Sequence, residues 1–140
     1  MSAEPNEMAA MGIPGHGTFV WTEIATNDAD TCIDFYKNVF GWTFQQSAAS
    51  SDGMDYREFD TGEGHPAGGL YQINPEWFGG TPPPPHFMIY IAVDDVDAAA
   101  QKAAELGANV HKTMDIPNVG RMSIIEDPTG AMFATFMPKM

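Results

Sequence analysis

In the segment FVWTEIATNDADTCIDFY (Phe19 to Tyr36), a tryptophan and a carboxylate stand two residues apart, just ahead of a helix-like pattern. Strand side chains alternate between faces, so Phe19, Trp21, Glu23 and Ala25 share one face, while Val20, Thr22, Ile24 and Thr26 share the other. The second set suits packing beneath a helix. The first places Glu23 beside an aromatic ring. A carboxylate half-buried among aromatics tends to hold its proton more tightly, which suits a general base or a grip on a cationic or hydrogen-bond-donating ligand. The plainer roles for Glu23 are an ion pair with Arg57 or Arg121, or capping of backbone amides.

The other groups with chemistry are sparse. His65 falls in a turn, His86 opens a strand, and His16 and His111 fall at the periphery, so a metal site built from imidazoles and Glu23 would need an accident of packing. Cys32 is the lone cysteine and sits on the apolar side of a helix; no intrachain disulfide can form, which fits a cytoplasmic address. Asp60-Thr61-Gly62 matches the aspartic-protease tripeptide, whose chemistry needs two carboxylates sharing a proton. Here it lies between REF and EGH, without apolar strands to bury such a dyad, and reads as a strand running into a turn.

The elements that must position these residues follow from periodicity. Ala29, Cys32, Ile33, Tyr36, Val39 and Phe40 keep helical spacing, with Asn27 or Asp28 to cap the start and Gly41 to supply a left-handed exit. WTFQQS, MDYREFDT and PAGGLYQI then alternate as three strands. NPEWFGGTPPPP breaks the pattern and reads as a stiff extended connector. HFMIYIAV is a strand, DDVDAAAQKAAEL a helix closed by Gly107, and ANVHKTMD, RMSIIED and AMFATFM are three further strands, the last two joined by a DPTG turn.

The same unit therefore occurs twice. ATNDAD parallels AVDDVD, and the constant offset pairs Phe19 with His86, Trp21 with Met88, and Glu23 with Tyr90. The expected organisation is a flexible lead-in over residues 1–16, a strand–helix–three-strand module over 17–73, a connector over 74–85 and a second module over 86–138. The expected class is α+β, two tandem βαβββ modules forming a curled mixed sheet around a central cleft. Short open sheets leave exposed edges, which favours a homodimer.

Composition narrows the function classes. At 140 residues and 44% hydrophobic content the chain can bury a core. Asp and Glu total 19 against 6 Lys and Arg, a net charge of −13, which excludes nucleic-acid binding and leaves few anchors for anionic ligands. No apolar run approaches the ~20 residues of a membrane span, so no membrane partner is expected. The opening MSAEPNEMAAMGIPGHG has neither the basic nor the apolar region of a signal peptide.

The motifs FYKNVFGW, VDDVDA and EDPTG, in this order and spacing, resemble the vicinal oxygen chelate superfamily of glyoxalases, bleomycin-resistance proteins and extradiol dioxygenases. The likeness runs from about Gly17 to Pro138. It implies ligand positions for a divalent metal at Trp21, Gly69, Met88 and Ala134. A divalent cation of this kind needs imidazole or carboxylate donors, and these four residues supply none, so no metal and no other cofactor is expected. Trp21 and Met88 would instead form an apolar floor, extended by Tyr90, Met132 and Phe136, that takes a small, flat or hydrophobic ligand. The alternative is a metal-independent lyase or isomerase with Glu23 as general base and Tyr90 as proton donor. A metal-dependent glyoxalase-type lyase or dioxygenase fits less well.

Overall fold

The computed structural model describes residues 15–47 and 55–139. The expected lead-in lies outside the described residues except for Gly15 and His16, as do the ASSDG turn and Met54. The strands are β1 (Phe19–Thr26), β2 (Thr43–Gln46), β3 (Tyr56–Asp60), β4 (Gly68–Gln72), β5 (His86–Ala92), β6 (Asn109–Ile116), β7 (Gly120–Glu126) and β8 (Met132–Pro138). The helices are α1 (Ala29–Phe40) and α2 (Val96–Glu105). The element order is strand–helix–three strands, twice, and the class is α+β. The described residues form two compact units, one lying between Trp21 and Met88 and the other joining residues 15–20 with residues 89–139. Among the described residues, no helix is long and apolar enough to cross a membrane.

In the first unit the strand order is β2-β3-β4-β1. β1 runs parallel to β4 with Glu23 opposite Gly69, and β3 runs antiparallel to β4 with Tyr56 opposite Tyr71 and Glu58 opposite Gly69. This register sorts the side chains into two faces. Ile24, Phe59 and Leu70 meet Ile33 of α1 in a buried core. Tyr36, Trp42 and Phe59 continue it as a stack, with centroids 5.1 and 4.8 Å apart and rings within 8° of parallel. α1 begins where the Asp28 carboxylate accepts from the Thr31 backbone N–H at 3.1 Å, and it ends at Gly41, whose φ of 75° only glycine adopts freely.

Two expectations change here. Val39 and Phe40 keep the helical spacing of the apolar face but are 54% and 59% exposed, while Ala29, Cys32, Ile33 and Tyr36 are the residues of α1 that pack on the core. The connector is not extended throughout. Asn74 caps a single 3-10 turn at Pro75–Phe78, its side chain accepting from the Glu76 N–H at 3.0 Å, and Pro75 opens that turn because its fixed φ is already helical.

In the second unit the order is β5-β8-β7-β6, with β5 parallel to β8 and the other pairs antiparallel. Asp95 caps α2 by accepting from the Ala98 N–H at 3.0 Å, as Asp28 caps α1. Arg121 reaches up from β7 to Asp97 of α2, so Arg121, Ser123 and Ile125 mark the face under the helix. A row of hydroxyls crosses that face. Thr113 and Ser123 bond each other at 3.0 Å, while the buried Thr135 hydroxyl, opposite Ser123, has no hydrogen-bond partner.

Candidate functional site

The face of the first unit's sheet opposite α1 carries Trp21 and Glu23 from β1, Gly69 and Tyr71 from β4, and Tyr56 and Glu58 from β3. Trp21 Nε1 donates to the Tyr56 hydroxyl at 2.9 Å, and that hydroxyl donates to Glu23 Oε2 at 2.8 Å. Indole, phenol and carboxylate thus form one directed chain across three strands. Tyr56 is buried at its base, while Trp21, Glu23 and Tyr71 are partly buried. The Tyr56 and Tyr71 rings stack 13° from parallel, with centroids 6.4 Å apart.

Gly69 explains how a large ring reaches this position. A Cβ at Gly69 would overlap the Tyr56 ring and hydroxyl, so the second glycine of PAGGL is the space that Tyr56 occupies. Gly68 does the same on the other face, where a Cβ would meet the Thr22 carbonyl oxygen and the Phe59 ring. Beside Glu58, the Ser47 hydroxyl donates to Oε2 at 2.8 Å.

Electrostatics holds both phenols neutral. Burial and then the Glu23 charge push the Tyr71 phenol up to about 12. Tyr56 is raised well beyond the usual phenol range by the same two causes in the same order, with the Trp21 N–H pulling the other way. At neutral pH Tyr56 is therefore a hydrogen-bond donor, oriented by Trp21 on one side and Glu23 on the other.

The arginines proposed as partners for Glu23 are engaged elsewhere. Arg57 bonds both oxygens of Asp55 at 2.8 and 2.9 Å, and Arg121 bonds Asp97 and Asp115. Tyr56, which the sequence reading did not single out, donates to the Glu23 carboxylate. The signal in the sequence was partial: alternation in YREFD puts Tyr56 and Glu58 on one face and Arg57 and Phe59 on the other, while the pairing register decides that the first pair shares the face of Gly69.

The remaining predicted residues divide between the units. Met88 lies half-buried in β5 at the end of the first unit. In the second unit Tyr90 lies opposite Ala134, and Phe136 lies opposite both Ala92 and Met122. Tyr90, Met122 and Ala134 are buried and Met132 is 46% exposed. The Tyr90 hydroxyl donates to Met122 Sδ at 3.8 Å. This is an apolar face lined with thioethers, carrying the one phenol proposed as a proton donor.

Neither the resemblance-derived positions nor the histidines fit a divalent metal. Trp21, Gly69, Met88 and Ala134 present no imidazole or carboxylate. Among the described residues, no group of three or more His, Cys, Asp and Glu side chains comes together to hold an ion. His86 bonds the Pro84 carbonyl at 2.8 Å, His65 contacts Glu63 and the Pro66 carbonyl, His111 bonds Glu126, and His16 bonds the Asp94 backbone N–H. Asp60 of the DTG tripeptide accepts from the backbone N–H groups of Gly62, Glu63 and Gly64, the geometry of a turn.

Comparison with known proteins places these features. The chain is 37% identical over 123 residues to "Putative glyoxylase CFP32" of Mycobacterium tuberculosis, covering 87% of this chain and 44% of that protein. It is 31% identical over 130 residues to "Anthracycline biosynthesis protein DnrV" of Streptomyces peucetius, covering 86% of this chain and 46% of that one. The chain thus spans less than half the length of these curated relatives. Among solved structures, methylmalonyl-CoA epimerase from Mycobacterium tuberculosis superposes with a TM-score of 0.60 at 16% identity, covering 89% of each chain. Homoprotocatechuate 2,3-dioxygenase from Brevibacterium fuscum gives 0.60 at 18% identity, over 87% of this chain and 36% of that one. At these identities the likeness establishes the fold alone. Residues 18–135 match the sequence profile of the Glyoxalase/Bleomycin resistance protein/Dioxygenase superfamily, and the chain belongs to that superfamily.

Proposed function

We propose that this chain binds a small, flat or hydrophobic ligand on the sheet face that carries Trp21, Glu23, Tyr56 and Tyr71, without requiring a metal. The observation that carries this reading is the directed chain from the Trp21 indole through the Tyr56 hydroxyl to Glu23. It holds two aromatic rings and a carboxylate in fixed positions beside a third ring, which is how a binding site limits the entropy lost on association. The relative DnrV is named for anthracycline biosynthesis, and a flat polycycle is the kind of body that such a face would stack against. Methylmalonyl-CoA epimerase has been solved with methylmalonyl-CoA. An acyl-CoA fits poorly here, because both arginines already pair with carboxylates.

A metal-independent lyase or isomerase is the second reading. It is favoured by one observation, the phenol–carboxylate pair of Tyr56 and Glu23, which could move a proton to or from a bound substrate. A homodimer is part of the proposal, supported by the edge strands β2 and β6 and by Phe35, Phe40 and Phe87, all more than half exposed.

The test is a crystal structure of protein purified directly from cell extract, with elemental analysis of the same preparation. Small-molecule density against Trp21 and Glu23, with less than stoichiometric metal, supports the reading. Stoichiometric zinc, nickel or iron that resists dialysis, or density only elsewhere, overturns it.

A further inference from the structure

We propose that the cavity at the β2–β3 end of the first unit's sheet binds a polyhydroxylated ring, the chemistry of a sugar or a comparable polyol. The inference goes beyond the aromatic-face reading and does not depend on it. The cavity measures about 230 Å³. Its polar side chains are Thr43 and Gln45 of β2, Glu58 and Asp60 of β3, and His65 of the following turn, where Pro66 adds apolar surface. That volume lies below the roughly 300–1,000 Å³ of a site for a drug-sized ligand, so it takes a single ring and not a polycycle.

The register decides which chemistry fits. Thr43 lies opposite Asp60 and Gln45 opposite Glu58, so each donor-bearing side chain of β2 faces a carboxylate on the same side of the sheet. Glu58 accepts from the buried Ser47 hydroxyl at 2.8 Å, and Asp60 accepts from the backbone N–H groups of Gly62, Glu63 and Gly64. Neither carboxylate is therefore spent on the donor opposite it, and both are held in place. The backbone N–H groups, Gly62 first, hold the Asp60 carboxyl below the usual carboxylate range, so it only accepts at neutral pH. A cation would use the two carboxylates and leave the hydroxyl and amide donors without partners. An anion is repelled by them, and among the described residues no lysine or arginine lines the cavity. A hydroxyl both donates and accepts. A ring carrying several of them matches the whole lining, and its bonds to Glu58 and Asp60 are of the strong, charge-assisted kind.

The test is an NMR titration of the full chain with methyl pyranosides of several stereochemistries. Cyclohexylammonium and cyclohexanecarboxylate serve as ring-sized ions without hydroxyls. Binding is read at the Gln45 side-chain NH2 resonances, identified by their loss in Gln45→Ala, and at the Gly64 backbone N–H. At least one pyranoside should shift both saturably, and neither ion should. Glu58→Gln should weaken that pyranoside about tenfold. Gln45→Ala, at an exposed position of an edge strand, should weaken it about threefold, read at Gly64. The phenyl glycoside of the same sugar separates two sources of the ring. Equal affinity for the phenyl and methyl forms identifies a free sugar, whereas tighter binding with a shift at the Trp21 indole N–H identifies a sugar carried on an aromatic body. If no pyranoside moves either resonance, if the ions bind as well as the pyranosides, or if Glu58→Gln binds like wild type, the polyol assignment is wrong, and the Trp21 face is judged by its own tests.

Discussion

Tyr56→Phe is the perturbation that reads the site's organisation most cleanly, because it deletes one oxygen and keeps the ring that fills the space over Gly69. That oxygen accepts from Trp21 Nε1 at 2.9 Å and donates to Glu23 Oε2 at 2.8 Å. A neutral hydrogen bond of the first kind contributes about 0.5–1.5 kcal/mol and one to a charged acceptor about 1.5–3 kcal/mol. Glu23 and Trp21 are only partly buried, so water replaces part of what each loses, and the expected net cost is about 1–3 kcal/mol at pH 7. Urea unfolding of wild type, Tyr56→Phe, Glu23→Gln and the double variant gives both the cost and the coupling. Residues sharing one hydrogen bond should couple by about 0.5–2 kcal/mol. The reasoning is refuted if Tyr56→Phe lies within about 0.3 kcal/mol of wild type and the double variant is additive, because the hydroxyl would then organise nothing.

Three further outcomes follow from the packing and the charge distribution. Gly69→Ala should displace the Tyr56 ring, costing about 1–3 kcal/mol of stability and shifting the Trp21 indole N–H resonance; an unmoved resonance would show that the ring has room after all. Thr135→Val should raise stability by about 1 kcal/mol, or a few degrees in Tm, because it removes a buried hydroxyl with no partner and keeps the shape; a loss on calorimetry would contradict that. The Tyr71 phenol is raised to about 12 from an ordinary value of 10.0, so its contribution to stability is complete below pH 10 and is lost as pH rises from there through about 12. Glu23→Gln removes one cause of the shift, so tyrosinate absorbance should then appear at lower pH; an unchanged titration would mean that the Glu23 charge does not reach Tyr71.

Much of this architecture can be read from residue order alone, for local reasons. The ATNDAD and AVDDVD junctions mark helix starts because aspartate at either site bonds the backbone three residues on, and Asp28 and Asp95 both do so. Alternation in β1 places Trp21 and Glu23 on one face and Ile24 under α1, as observed. What alternation cannot supply is pairing register. Tyr56 reaches Glu23 only because β3 and β1 flank β4, with Glu23 and Glu58 both opposite Gly69, and that register is set by tertiary packing. Glu23 therefore suggested a salt bridge to an arginine, whereas Arg57 lies on the opposite face of β3 with Asp55 within reach. The 3-10 turn at Pro75–Phe78 was hidden for a related reason, since proline signals both an extended linker and the first residue of a helical turn.

On the proposed reading, the Trp21–Glu23 face of the first unit is where this chain meets its ligand. The most direct measurement is calorimetric titration of any ligand recovered with the protein into wild type and Trp21→Ala, with circular dichroism confirming that the variant stays folded. Loss of a large contact ring should weaken binding by about 2–4 kcal/mol, roughly 30-fold to 1,000-fold. Equal affinity for the folded variant and the wild type would place the ligand elsewhere and leave this face as part of the protein's packing.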